Sequence, residues 1–232
     1  MSFPYRSALI VGAGPGISAS VAARLRAAGV EVGVAARGVD KLRAPAAAIG
    51  AHAFAVDATS AESVSALFDS AAAVLGPIEI VVYNAGARIR GAIRELDPAE
   101  VARALGANAF GGFLVAQHAA KHMLPRGRGA ILFTGATASV KGFAGSSAFA
   151  MGKFALRGLA QSAARELGPQ GIHVAHFIID GAVRSSARPM LGDQRDSTLD
   201  PDAIAQTYLD VLRQPRSAWS QEVEVRPWVE RF

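Results

Sequence analysis

The stretch SALIVGAGPGIS, Ser7 to Ser18, decides the fold. Its first five residues form an apolar run of the length of a buried strand. Gly12, Gly14, Pro15 and Gly16 break that run, and a helical apolar pattern follows over 16–28. Gly29 then stands just past the helix end, where left-handed backbone is common. Glycines let the backbone turn tightly and approach a phosphate, while the helix N-terminus offers N–H donors and a positive dipole end. Three glycines in five positions are more than a plain strand-to-helix turn needs.

Outward from this turn, short apolar runs alternate with longer amphipathic stretches. Strands are expected over 7–11, 31–35, 52–56, 78–83, 130–134, 172–178 and 222–225. Helices are expected over 39–49, 60–75, 98–124, 147–167 and 201–213. Ser60, Asp97 and Asp200 are the candidate N-caps, and Pro98 fits the first helical position. Alternation of this kind predicts parallel strands joined by right-handed crossovers. Val/Ile/Leu-rich runs fit strands buried on both faces. The expected fold is α/β: one Rossmann-like, doubly wound, seven-stranded parallel sheet with helices on both faces, spanning 1–232 as a single domain. Ligands then bind at the carboxyl ends of the strands, near the point where strand order reverses.

Composition narrows the function classes. The chain has 232 residues, 51% hydrophobic and 19% charged, so it can bury a large core and is not disordered. With no cysteine, disulfide scaffolds, thiolate zinc sites and thiol nucleophiles are excluded. That usage fits a reducing compartment, and a cytoplasmic location is expected. No apolar run reaches the roughly 18 residues of a membrane helix, so no membrane is expected among its partners. The net charge is +5, and four of the 24 basic residues are lysine. The arginines are scattered, with no basic run or stripe, so nucleic acid is not expected as a partner. A modest positive charge suits a polyphosphate ligand.

The glycine turn is compatible with two families. Its G-x-G-x-G form resembles the first motif of S-adenosylmethionine methyltransferases. Gly12-x-x-x-Gly16-x-Ser18 resembles the glycine motif of short-chain dehydrogenases/reductases, with Ser18 replacing the last glycine. The second strand ends in Ala35-Ala36-Arg37, without the acidic residue that would bind ribose hydroxyls. A small residue followed by arginine suits a ribose 2′-phosphate, and Lys41 lies four residues on. NADP(H) is therefore favoured, with NAD(H) second.

Further residues join the pattern. Asn84-Ala85-Gly86 follows the fourth strand, Asn108 opens the stretch NAFGGFLVAQ (108–117), and Lys153 falls in the helix after strand five. With Gly12 and Gly16, their order and spacing resemble the short-chain dehydrogenase/reductase family over nearly the whole chain. The resemblance implies hydride transfer between a nicotinamide and a carbonyl or alcohol of a small molecule. It assigns Gly12, Gly14, Gly16, Ile17, Arg37, Asp57, Asn84, Ala85, Gly86, Lys153 and Gly181 to the cofactor, with Asp57 at the adenine. It also implies a homo-oligomer, a tetramer, packed through helices 98–124 and 147–167. Phe110, Phe113, Phe154 and Leu159 continue the apolar surface there.

The catalytic set departs from the family. Its proton-donating tyrosine is Phe149, four residues before Lys153, and its carbonyl-polarising serine is Ala136. Asn108 and Lys153 remain. Asp180 stands where the family has proline, and Tyr83 precedes Asn84 where asparagine is commoner. Three readings follow: a reductase with a rearranged proton donor, a catalytically silent NADP-binding protein, and, more remotely, a methyltransferase. Replacement donors to consider are Asp180, Thr134, Thr137, Ser139, Ser147 and Tyr83. Thr134 shares a strand face with Ala136 by the period of two, so its hydroxyl is expected to aim at the cofactor. Arg88 and Arg90 are solvated loop residues on the simplest reading, and otherwise rim the pocket for an anionic substrate. His118 and His122 have a metal-compatible spacing but no third ligand, so no metal is expected. Residues 182–198, with Arg184, Arg188 and Arg195, occupy the position of the substrate lid.

Overall fold

The computed structural model describes residues 3–185 and 196–229. β1 (Ser7–Val11) leads through the glycine turn into α1 (Ile17–Ala27), then β2 (Glu31–Ala36), α2 (Asp40–Ala48) and β3 (His52–Ala55). After α3 (Ala61–Leu75) and β4 (Ile80–Tyr83) come α4 (Pro98–Leu105) and α5 (Gly111–Met123). β5 (Gly129–Thr134), α6 (Ser147–Leu167), β6 (Ile172–Ile179), α7 (Pro201–Leu212) and β7 (Glu222–Val225) complete the order. All strands pair in parallel, in the order β3-β2-β1-β4-β5-β6-β7. The chain winds outward from β1 to β3, returns to the far side of β1 as β4, and then winds the other way. The crevice between the carboxyl ends of β1 and β4 is the switch point of such a sheet.

The period of two along the strands sorts the core into two layers. Leu9, Val11, Val81, Tyr83, Ile131 and Phe133 face α3, α5 and α6. Ala8, Ile10, Ile80, Val82, Ala130 and Leu132 face the side of α1 and α7. Every residue of β1, β4, β5 and β6 is buried, as two-sided coverage requires. Each fully buried large aliphatic side chain contributes about 1.5–3 kcal/mol to the layer it joins.

The caps behave as their residue types dictate. Ser60 Oγ accepts from Ser63 N, and carboxylate oxygens of Asp97 and Asp200 accept from Ala99 N and Asp202 N. One expectation is corrected. The single helix 98–124 is two α-helices separated by a wider turn with i→i+5 character, Gly106–Phe110. Its cause is Tyr83, whose buried hydroxyl donates to Ala107 O at 2.6 Å, below a ring packed against Gly111 and Gly112. A side chain at Gly111 would place its Cβ 2.5 Å from that hydroxyl. Such bulges recur at functional sites, and this one carries Asn108. β4 also starts at Ile80 rather than 78. Most of the expected lid at 182–198, with Arg188 and Arg195, lies outside the described residues; Val183 bridges Leu199 and Arg184 pairs with Asp200 at 2.7 Å.

Candidate active site

The glycine turn is built for close approach. Gly12 has φ 86°, and a Cβ there would sit 2.1 Å from Ala85 N, so only glycine lets the β1 turn touch the loop after β4. Gly16, at φ 94°, stands before the first residue of α1. A Cβ at Gly14 or Gly16 would meet nothing within 4 Å, which leaves these two glycines facing open space. Ser18, in the place of the family's last glycine, is a buried tie. Its Oγ accepts from Asn84 Nδ2 at 2.7 Å and donates to Gly12 O at 3.2 Å, locking turn and loop together.

Two cavities open at the switch point. The first, of about 530 Å³, is lined by Gly12, Ala13, Arg37, Asp57 and residues 84–87, among others. Asp57 Oδ1 accepts from Thr59 N and Thr59 Oγ1, and these bonds, with Arg37 nearby, hold its carboxyl below the usual range. The second, of about 330 Å³, is lined by Ile17, Arg88, Thr134, Ala136, Phe149, Lys153, Gly181 and Val183, with others. Asn84, Gly86 and Ala87 line both, so one wall serves the two spaces.

Lys153 is 5% exposed, and its Nζ donates to Thr134 O at 2.8 Å. Loss of hydration pushes its ammonium from 10.5 down to about 8. Asn108, fully buried, clamps the loop after β4 from both sides: Nδ2 donates to Ala87 O at 2.7 Å and Oδ1 accepts from Ala87 N at 3.3 Å. Gly86 and Gly152 make room for it, since Cβ atoms there would lie 2.9 Å from Asn108 Oδ1 and 2.5 Å from its Cβ. Phe149 presents its ring to the second cavity, with Lys153 Nζ 5.9 Å and Arg88 Cζ 5.4 Å from the centroid.

Four of the replacement donors, Thr134, Asp180, Tyr83 and Ser139, have partners within the fold. Thr134 Oγ1 bonds the buried Tyr208 hydroxyl at 2.8 Å, across the α7 layer, so the expected aim of its hydroxyl at the cofactor is corrected. Asp180 is buried and ion-paired with Arg226 at 3.0 Å on the β7 side. Tyr83 is spent on the turn before α5. Ser139 Oγ accepts from Ala136 N at 3.2 Å and lies 3.3 Å from His176 Nε2. Tyr83, Asp180, Thr137, Ser139 and Ser147 do not line the second cavity. His118 and His122 pack on Phe68, and no group of three metal-ligating side chains occurs among the described residues.

Residues 6–195 match the short chain dehydrogenase family. The chain belongs to that family. It is thereby a member of an oxidoreductase family, and the methyltransferase reading falls. A short-chain dehydrogenase from Rhodopseudomonas palustris superposes with a TM-score of 0.84 at 36% identity, covering 96% of this chain and 99% of that one. A metagenomic short-chain oxidoreductase in complex with NADP gives 0.84 at 26% identity, covering 99% and 100%. The cis-4-hydroxycyclohexanecarboxylate dehydrogenase of Sinomonas cyclohexanicum is 35% identical over 178 residues, 75% of this chain and 72% of that protein. For three other curated relatives the matched stretch spans 58%, 53% and 45% of their length.

Sequence reasoning missed two features of this family member's site. Ser18 was visible as a departure from glycine, and its tie to Asn84 required the fold. Gly135 was given no role, yet a Cβ there would sit 2.3 Å from His176 Nε2, so it seats the buried Ser139–His176 pair.

Proposed function

We propose that this protein is an NADP(H)-dependent oxidoreductase acting on a carbonyl or alcohol group of a small molecule, through an atypical catalytic set. The observation that carries this is the shared wall. Asn84, Gly86 and Ala87 bound both a cleft with the glycine turn, Arg37 and Asp57, and a smaller cavity with Lys153, Ala136 and Phe149. A dinucleotide is the kind of ligand that fills two such spaces at once. Gly12, Gly14, Gly16 and Ile17 would hold the pyrophosphate region, Asp57 the adenine, Arg37 a 2′-phosphate, and Asn84, Ala85, Gly86, Lys153 and Gly181 the nicotinamide half. The solved relative in complex with NADP supports the phosphorylated cofactor.

When bound, NADPH supplies a hydride to the carbonyl carbon; the protein must supply a proton to the oxygen. Phe149 has no proton to give, and such a loss costs about 10²–10⁴ in rate. Ala136 offers no hydroxyl to polarise the carbonyl, a loss of roughly 10²–10³. These losses are not additive in general. Lys153 lines the cavity beside Phe149 and Ala136, and burial lowers its ammonium to about 8; its Nζ, already bonded to Thr134 O, would hold the ribose and place a titratable proton at the cavity wall. Asn108 acts at one remove, fixing Ala87 and the loop that forms the shared wall.

The missing hydroxyls at 136 and 149 also favour a second reading, a silent NADP-binding protein. Exposed Phe110, Phe113, Met151 and Phe154 on and beside α5 and α6 support a homo-oligomer, a tetramer, and a cytoplasmic location completes the proposal. Calorimetric titration tests the cofactor: NADPH binds more tightly than NADH, and Arg37→Ala weakens NADPH alone. Equal affinities remove the NADP assignment. Turnover is tested with ketones: Phe149→Tyr with Ala136→Ser raises NADPH-dependent reduction well above wild type. A double variant that binds NADPH and stays inert hands the lead to the silent binder.

A further inference from the structure

A third cavity, of about 480 Å³, opens at the other end of the sheet. Its walls come from the last turn of α6 with Arg165, the turn into β6 with Gly171, and the segment into β7 with Arg216, Trp219 and Gln221. β5, β6 and β7 run parallel, so the amino ends of β6 and β7 point away from the switch point and its two cavities. No Asp or Glu is among the described lining residues.

This recess is held in shape by the fold. Arg216 Nη2 donates to Gly127 O at 3.0 Å. Gly171 has φ 85°, and a Cβ there would stand 2.2 Å from Gly127 O and 3.3 Å from Arg216 Nη1, so glycine leaves room for that bond. Trp219 stacks on the buried His173, ring centroids 4.6 Å apart and planes 3° from parallel, and its Nε1 donates to Gln214 O at 3.2 Å. The Gln214 side chain bonds Ser220 at both N and Oγ, which closes the segment on itself. Arg165 Nη1 donates to Gln161 O one turn back on α6.

The charge at the recess is of one sign. Arg165 and Arg216 each have one backbone carbonyl as hydrogen-bond partner, and neither pairs with a carboxylate among the described residues. Arg126 and Arg128 flank Gly127, the residue that Arg216 binds. Glu79 answers Arg128 at 3.7 Å, and Glu166 follows Arg165 on α6 without lining the cavity. A single guanidinium fork matches a carboxylate. Two forks brought together from different elements match a group with more charge and more oxygens, which a phosphate monoester supplies.

We infer that this recess binds a phosphorylated small molecule, its dianionic phosphoryl group held by Arg165 and Arg216 and its body against Trp219 and Gln221. The site is separate from the nucleotide cleft and stands whether or not that cleft takes NADP(H).

Trp219 serves as the reporter, since Arg216 Cζ lies 6.0 Å from its ring centroid. Trp228, the other tryptophan of the chain, is 81% exposed, so Trp228→Phe leaves Trp219 as the sole indole of the full-length protein. In that background ethyl phosphate, a dianion at about pH 8, changes the Trp219 emission saturably. Diethyl phosphate, the monoanionic ester, needs at least about 10-fold more at equal ionic strength. Arg165→Gln, an exposed helical position, raises the ethyl phosphate midpoint at least about 5-fold, and Arg165→Lys raises it less. Arg37→Ala, in the first cavity, leaves that midpoint within about two-fold, which separates this site from the nucleotide cleft. The absence of a saturable change, equal midpoints for the two esters, a midpoint unmoved by Arg165→Gln, or one moved as far by Arg37→Ala overturns the inference.

Discussion

Replacing Lys153 by methionine is expected to stabilise the nucleotide-free protein while weakening its hold on NADPH. The ammonium is 5% exposed, has the Thr134 carbonyl as a hydrogen-bond partner, and titrates at about 8 instead of 10.5. A gap of that size corresponds to roughly 3 kcal/mol of unfavourable charge burial at neutral pH. Methionine keeps the stem's length and removes the charge, but forfeits about 1 kcal/mol of hydrogen bonding to that carbonyl. The net gain is about 2 kcal/mol, which for a chain of this size raises Tm by roughly 4–8 °C. The sign with pH follows from the depressed pKa. Below about 8 the lysine is charged in both folded and unfolded chains, so the folded state carries the full penalty. Between about 8 and 10.5 the unfolded chain binds the extra proton, and wild-type stability rises with pH until the penalty is gone. The advantage of the variant is therefore constant below pH 8 and shrinks towards pH 10.5. Urea denaturation of both proteins at pH 7 and pH 10, after nucleotide removal, reads it directly. A variant less stable than wild type at pH 7, or a gain that does not change with pH, would refute the reasoning.

Three further outcomes follow from particular contacts. Burial pushes His176 from 6.5 down to about 4 against the opposing pull of Glu222, so the folded chain binds fewer protons than the unfolded one between these values. Stability is full above pH 6.5 and falls by roughly 3 kcal/mol as pH drops to about 4; His176→Gln should flatten this part of an acid-denaturation curve, and an unchanged slope counts against it. Gly152→Ala places a Cβ 2.5 Å from that of Asn108 and should cost about 1–3 kcal/mol in chemical denaturation, despite alanine's better helix propensity; a neutral result would show that α6 can shift freely. Phe110 and Phe113 stack at 6.3 Å with 52% and 44% of their surfaces exposed, so light scattering should report an oligomer that Phe110→Glu with Phe113→Glu dissociates; a wild-type monomer at micromolar concentration removes the assembly proposal.

The parallel seven-stranded sheet and its helices on both faces were legible because glycine punctuation and two-sided apolar runs leave little alternative. Gly12 and Gly29 both have positive φ, at the ends of the elements they were expected to close. The break after Leu105 was not legible. It depends on Tyr83, 24 residues before the carbonyl it binds, and no local pattern in a helix reports such a long-range donor. The site shows the same division. Asn108 and Lys153 were assigned through the family resemblance, and both are buried beside the cavities. Thr134 was assigned the wrong direction, because strand alternation fixes a face only while the strand continues, and β5 ends at that residue. Arg88 was read as a solvated loop residue or else as a rim of the pocket; it is exposed and lines the second cavity, and its position beside Phe149 was not legible in sequence.

The division between what this site keeps and what it lacks has a structural basis. Each retained group is built into the packing on more than one side. Gly12 touches Ala85, Asn108 is enclosed by Gly86 and Gly152 and bonded to Ala87, and Lys153 is bonded to the backbone of β5. Changing Gly12 or Asn108 disturbs a strand end, a helix contact or the wall shared by the two cavities, at a cost of kilocalories. Positions 136 and 149 are different. Both line the second cavity and are only part-buried, so a hydroxyl can be absent from either without leaving a void or an unpaired partner in the core. Under the function proposed, the scaffold constrains where a nucleotide would lie far more tightly than it constrains which group would meet the substrate. Lys153 would then link the two requirements: burial of its charge weakens the fold, the ligand would meet its ammonium, and methionine at that position should reverse the exchange.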